Sequence, residues 1–178
     1  LLRALRALAG HARWTASHLE DAGAVPNNHL VGDLVGLLHV ALLFPELPGA
    51  EVWRGIAVDG LAQAFPAQVL PDGMGFEGSG GYHRLLLELG VAALTRARAA
   101  GGARAAQLAT RLGRMFLATR GYRVAGARAP NLGDNNSGRA LPLCAREPLD
   151  LGDLAALGAA LLQDARLKLP GAAFPDEA

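Results

Sequence analysis

The sequence predicts an all-α fold of antiparallel helical hairpins, and three observations predict it. Ala and Leu, the strongest helix formers, dominate a chain that is 51% hydrophobic but only 5% aromatic, while the β-branched and aromatic residues that favour strands are sparse. Apolar residues recur at helical spacing in six stretches. Most of those stretches are separated by short breaks rich in Gly and Pro, so successive helices pack side by side in opposite directions. At 178 residues the chain fits a single helical domain with a continuous core.

The first helix spans residues 2–22, with Leu2, Leu5, Leu8, Ala9, Ala12, Ala16 and Leu19 at helical spacing. A turn over residues 23–28 follows, where Pro26 discourages continuation. The second helix covers residues 29–44 and stops at Phe44-Pro45; the third covers residues 49–69, and Pro66 inside it should kink it or end it a turn early. Pro71-Asp72-Gly73-Met74-Gly75 is a turn. The fourth helix spans residues 79–99, Gly101-Gly102 breaks it, and the fifth runs over residues 103–120. Residues 121–150, rich in Gly, Pro and Asn, form a long loop with short extended pieces, and loops of that length tend to be functional. The sixth helix, residues 151–165, has Leu154, Leu157, Ala160, Leu161 and Leu162 as its apolar face, and the last eight residues look loose. No fixed sequence period marks a solenoid.

Composition narrows the function. A net charge of +1 argues against a globally basic nucleic-acid binder. Between Leu89 and Gly133 there is no Asp or Glu, while Arg stands at 96, 98, 104, 111, 114, 120, 123 and 128. That run is either a solvated helix face or an attractor for an acidic polymer. Cys144, alone in an apolar stretch, reads as a buried structural thiol and excludes an intrachain disulfide. No apolar run reaches membrane-spanning length, so no membrane partner is expected. No secretory signal is visible, but the chain begins without Met and inside a helical pattern, so it reads as a piece of something longer.

Polar residues cluster at two places, Asn27-Asn28-His29 and Phe76-Glu77-Gly78-Ser79-Gly80-Gly81-Tyr82-His83-Arg84. Such groups are expensive to dehydrate unless they pair or act. One of the two Asn residues suits an N-cap, and a helix N-terminus also receives carboxylates. His29 and Asp33, four apart, can meet on one face and fix the imidazole tautomer. Tyr82 lies on the stripe Tyr82, Leu85, Leu86, Leu89 and is either a core tyrosine or a proton donor and acceptor at a pocket wall. A cation such as His83 or Arg84 near the phenol would lower its pKa. Glu77 suits the dipole at the start of the fourth helix, or orients a neighbour. The stretch Asn131-Leu132-Gly133-Asp134-Asn135-Asn136-Ser137-Gly138-Arg139 lacks the ligand spacing of a calcium loop and reads as a structural loop of Asx turns. His39 reads as a packed histidine. No close His spacing marks a metal site, and no nucleotide or dinucleotide fingerprint is present, so no cofactor or metal is expected.

These segments in order, Asn27-Asn28-His29-Leu30, Gly36-Leu37-Leu38, Leu42-Leu43-Phe44-Pro45-Glu46-Leu47, Leu70-Pro71-Asp72-Gly73, Phe76-Glu77-Gly78-Ser79 with Tyr82-His83-Arg84, and Gly133 to Arg139, resemble the heparinase II/III family of polysaccharide lyases over about residues 25–140. The resemblance implies an incomplete (α/α) toroid, followed in the family by a β-sandwich domain that supplies a further catalytic His. It implies cleavage of uronic-acid polysaccharides by β-elimination, in which stabilising the enolate-like charge is the main task. It makes Asn28, with His29 beside it, the group that neutralises the uronate carboxylate, and Tyr82 the acid and base. His29, Glu77, His83 and Arg84 become substrate contacts or their supports. The implied partner is an acidic polysaccharide and the implied location periplasmic or secreted. No stretch here is β-rich enough for the sandwich, so the chain alone is expected to be inactive or barely active. A non-catalytic glycan-binding domain and a purely structural hairpin module are the alternatives.

Overall fold

The computed structural model describes residues 1–21, 27–100, 103–135, 138–141 and 147–169. Six α-helices, α1 (Leu2–Ser17), α2 (Asn28–Leu43), α3 (Ala50–Ala67), α4 (Gly80–Ala100), α5 (Ala103–Tyr122) and α6 (Gly152–Leu162), are followed by a 3₁₀ turn at Ala165–Leu167. The expected fold class holds: antiparallel hairpins of an incomplete (α/α) toroid, with isolated bridges and no strand among the described residues. α2 and α3 pack as one hairpin, α4 and α5 as the next, and α2 packs against α4 to join them. Leu34 and Leu37 from α2, Phe65 from α3, Leu86, Leu87 and Leu94 from α4, and Leu112, Met115 and Phe116 from α5 fill the shared core.

Local chemistry explains the boundaries. α1 stops at Ser17, short of the expected residue 22. Ser17 Oγ shares its one proton between the Arg13 and Trp14 carbonyls, 3.0 Å from each, and the His18 N–H turns to Thr15 O instead of the Trp14 carbonyl it would use in a continuing helix. His18 stacks on Trp14 with ring centroids 4.4 Å apart. Asn27 caps α2, its side chain accepting from Leu30 N–H at 2.9 Å. Pro45 closes the far end, and the Phe44 N–H bonds back to Val40 O at 3.0 Å. Pro66 neither ends α3 a turn early nor is left outside it: it lies in the last turn, one residue before the helix ends. Gly90 lets α4 approach its neighbours, since a Cβ there would lie 2.6 Å from Leu112 and 2.7 Å from the Phe65 ring.

The expected apolar face of α6 holds but for Ala160. Leu154 is buried and Leu157, Leu161 and Leu162 pack against the core as expected, while Ala160 is exposed and Ala155, Gly158 and the carboxylate of Asp153 are buried as well. Extended pieces of the long loop pair as expected, with bridges Ala125 to Arg128 and Arg128 to Asp150. A small apolar cluster of Ala129, Leu149, Leu151, Ala155 and Leu169 fastens this loop to α6. Residues 22–26, which hold most of the turn expected at 23–28, lie outside the described residues, as do Gly101-Gly102, Asn136, Ser137, Cys144 and the last eight residues. Among the described residues no helix is long and apolar enough to cross a membrane.

Candidate active site

The α3–α4 connection builds the site. Asp72 Oδ1 accepts from Met74 N–H at 2.9 Å, Leu70 N–H bonds Met74 O at 2.8 Å, and Val69 bridges Gly75, so the turn at residues 70–75 is tight. Gly73 has φ +94°, and a Cβ there would lie 2.5 Å from the Arg114 carbonyl, so only glycine lets this turn rest on α5.

His83 fixes the same turn from within. Gly75 N–H donates to its Nδ1 at 3.0 Å, which leaves Nε2–H to donate to Thr119 Oγ1 at 3.0 Å. The Thr119 hydroxyl passes on to the Met115 carbonyl at 2.9 Å. Burial pushes the ring pKa down to about 4, outweighing the raising influence of the Met115 backbone and Asp72. The imidazole is therefore a neutral strut, and Tyr122 packs edge-on against it at 5.5 Å.

From this turn Glu77 reaches the start of α2. Its Oε1 accepts from the Asn28 backbone N–H at 2.9 Å, and both carboxylate oxygens lie within hydrogen-bond distance of Asn28 Nδ2, at 2.9 and 2.7 Å. The carboxylate thus stands at the positive end of α2 rather than serving only α4. Asn28 is 8% exposed and is the first residue of its helix. Of the two adjacent Asn residues, Asn27 is the cap and Asn28 is the partner of a carboxylate.

Tyr82 enters through the α4 N-terminus. Ser79 Oγ accepts from Tyr82 N–H at 3.1 Å and donates to the Asp134 carbonyl. Gly80 N–H bonds Leu132 O at 3.1 Å, so residues 131–135 of the long loop are laid against this helix start. Asn135 Nδ2 to Asn131 Oδ1 at 3.2 Å closes the loop on itself. Tyr82 is half-buried rather than a core tyrosine, and it lines a crevice too tight to hold a water molecule with Gln68, Gly75, Glu77, Ser79, His83 and Leu86.

Other sequence expectations meet a different arrangement. His29 does not pair with Asp33: its Nδ1 lies 2.8 Å from Glu20 Oε2 on the surface, and Asp33 accepts from the Glu20 N–H at 3.0 Å. The bend after α1 brings Glu20 closer than the helix spacing brings Asp33. Arg84 does not face the Tyr82 phenol. At 1% exposure it donates to Glu88 Oε1 at 2.7 Å, to the Asp150 carbonyl, and to Asp153 at 3.2 and 3.3 Å. Neither His83 nor Arg84 presents a surface for direct substrate contact here, because each is drawn into an internal network. His39 is partly buried, its Nδ1 2.8 Å from the Val35 carbonyl.

A buried ion cluster went unread in the sequence. Glu88 and Asp153 are both 0% exposed, and Arg139 joins Arg84 between them, 3.2 Å from Asp153 Oδ2. Glu88 Oε2 also accepts the Ala140 and Leu141 N–H groups at 2.6 and 2.8 Å. Arg84 and Glu88 stand four apart, a helix-pair signal present in the sequence. Their other partners are far along the chain and left no such signal. In the Arg run, Arg98 and Arg120 donate to the carbonyls of Leu161 and Arg166, and Arg123 to Gly126 O at 3.0 Å. Arg111 and Arg114 instead line a separate cavity of about 480 Å³ between α3 and α5 that shares no lining residue with the Tyr82 crevice. No group of three or more metal-binding side chains occurs among the described residues.

Residues 1–142 match the family model described as Heparinase II/III N-terminus. The chain belongs to the heparinase II/III family of polysaccharide lyases, in the N-terminal portion. A solved heparinase III resembles it with a TM-score of 0.59 and 19% sequence identity, a likeness of fold. The match covers 90% of this chain and 25% of the heparinase III chain. No curated protein matched.

Proposed function

We propose that the chain is the helical part of a lyase that cleaves uronic-acid glycans by β-elimination. The observation that carries this reading is the carboxylate of Glu77 held by Asn28 at the α2 N-terminus, with Tyr82 on the same crevice. An amide at a helix N-terminus that already binds one carboxylate has the chemistry to bind a uronate carboxylate. Neutralising that group makes the adjacent C5 proton more acidic, and preorganised donors stabilise the charge that develops as it leaves. The C5 proton passes to the Tyr82 phenolate or to a second base, the glycosidic C4–O bond breaks, and a double bond forms between C4 and C5. The Tyr82 hydroxyl returns a proton to the departing oxygen.

Glu77 in this reading orients the Asn28 amide. His83 and Arg84 act indirectly, by fixing the turn that carries Glu77 and the helix that carries Tyr82. His29, exposed beside Asn28, is the residue of this set with room to touch a glycan. The 25% coverage of heparinase III supports a site completed by a further domain, the β-sandwich in the family.

Ultraviolet absorbance of the unsaturated uronate product, measured over a panel of uronic-acid polysaccharides, tests the proposal. The chain alone should give little or no product, and the chain extended into the rest of its parent protein should give turnover. Silence from the extended protein, with binding of the same polymers intact, would favour a glycan-binding domain instead.

A further inference from the structure

The cavity of about 480 Å³ between α3 and α5 has the volume of a small-molecule site. It lies apart from the Tyr82 crevice: Leu38, which lines it, is ten residues along α2 from Asn28, about 15 Å of helix. Small side chains keep it open, with Ala62 on α3 and Ala93 and Ala97 on α4 where longer ones would fill the gap. Leu38, Phe65 and Ala93 are buried and form an apolar floor. The charge comes from α5. Arg111, half-buried, and Arg114, exposed, line the same cavity one turn apart. Neither guanidinium has a hydrogen bond or ion pair among the described residues, and no Asp or Glu lines the cavity or stands on α5. An apolar floor beside two unpaired cations matches a ligand of the opposite layout, a hydrocarbon body that ends in one anionic group. An acidic glycan would suit the cations only, since its hydroxyls would lose water against Leu38 and Phe65.

We propose that this cavity binds a free medium-chain alkyl carboxylate, with its chain on Leu38, Phe65 and Ala93 and its carboxylate at Arg111 and Arg114. Removing the chain from water drives the binding. The two guanidinium groups donate charge-assisted hydrogen bonds to the carboxylate and fix which end of the ligand faces α5. The site is a second one, and it stands whether or not the Tyr82 crevice belongs to a lyase. No bond is made or broken in it.

Calorimetric titration of this chain with decanoate, decanol and acetate tests the proposal, with decanoate kept below its micelle concentration. Decanoate should bind one to one. Decanol, which has the chain without the charge, should bind about tenfold or more weaker, and acetate, which has the charge without the chain, should give no measurable heat. Arg111→Gln combined with Arg114→Gln, both reached by solvent, should lower decanoate to the affinity of decanol and leave decanol unchanged. Ala62→Trp, at an exposed position of the cavity wall, should block both ligands. Unfolding midpoints equal to wild type would show that these surface variants fold. Equal wild-type affinity for decanoate and decanol overturns the pairing of a carboxylate with the arginines. Decanoate binding that survives both the double substitution and Ala62→Trp places the ligand elsewhere and overturns the site. No decanoate binding, with a uronate oligosaccharide that binds more weakly to the double variant, overturns the proposal and assigns the arginines to an acidic polymer.

Discussion

Asn27 and Asn28 are adjacent and chemically identical, yet one closes a helix and the other holds a carboxylate. Asn27→Ala removes the bond to Leu30 N–H and should lower stability by about 1 kcal/mol, with glycan binding unchanged; urea unfolding and a titration of uronate oligosaccharide check the two halves. His83 gives a pH signature. Burial lowers its pKa from 6.5 to about 4, so between those values the native state binds fewer protons than the unfolded chain. The stability it contributes is complete above about pH 6.5 and declines as pH falls toward 4, by about 1.4 kcal/mol per pH unit at most. Unfolding free energies of wild type and His83→Gln over this range should differ in slope in that sense; parallel curves would contradict a buried neutral ring. The motif segments were visible in the sequence, but the partners of their side chains were not. His29 and Asp33 sit at helical spacing, yet the bend after α1 decides that Glu20 takes the imidazole.

At the scale of elements, every helix was legible, since each combines a helical apolar period with a local stop. The stops at Phe44-Pro45 and Asn27 are chemical signals that a reader of sequence can weigh. The errors arose where side chains override the pattern. Ser17 and His18 end α1 early, and α6 buries the charged Asp153 beside its leucines because Arg84 pairs with it. Contact between helices depends on small residues that periodicity does not reveal. Gly90→Ala places a methyl against Leu112 and Phe65 and should destabilise the chain by about 1–3 kcal/mol. A midpoint in thermal or urea unfolding equal to wild type would mean that α4 and α5 have room to spare.

Across the whole molecule, the site is assembled from segments far apart in sequence. Asn28 and Glu77 are 49 residues apart, and Arg84 and Asp153 are 69 apart. A single sequence carries no pairing information at such separations, so neither the Asn28–Glu77 bond nor the Arg84–Glu88–Arg139–Asp153 cluster is legible in it. That cluster joins α4, the long loop and α6, and so fixes the helix that presents Tyr82. Glu88→Leu removes one of the two carboxylates that hold the buried Arg84, leaves two backbone donors without their acceptor and should cost about 3–5 kcal/mol, lowering the unfolding midpoint of the entire chain rather than loosening one helix. A small shift would mean that the cluster is not a structural centre.

The rate of unsaturated-uronate formation by Tyr82→Phe, in the extended protein, tests the central claim most directly. Loss of the phenolic proton donor should reduce the rate by about 10²-fold or more, with affinity for the polymer retained because the ring still packs. Turnover at the wild-type rate would contradict the account, since Tyr82 would then be a wall of the crevice and the proton chemistry would belong to another residue.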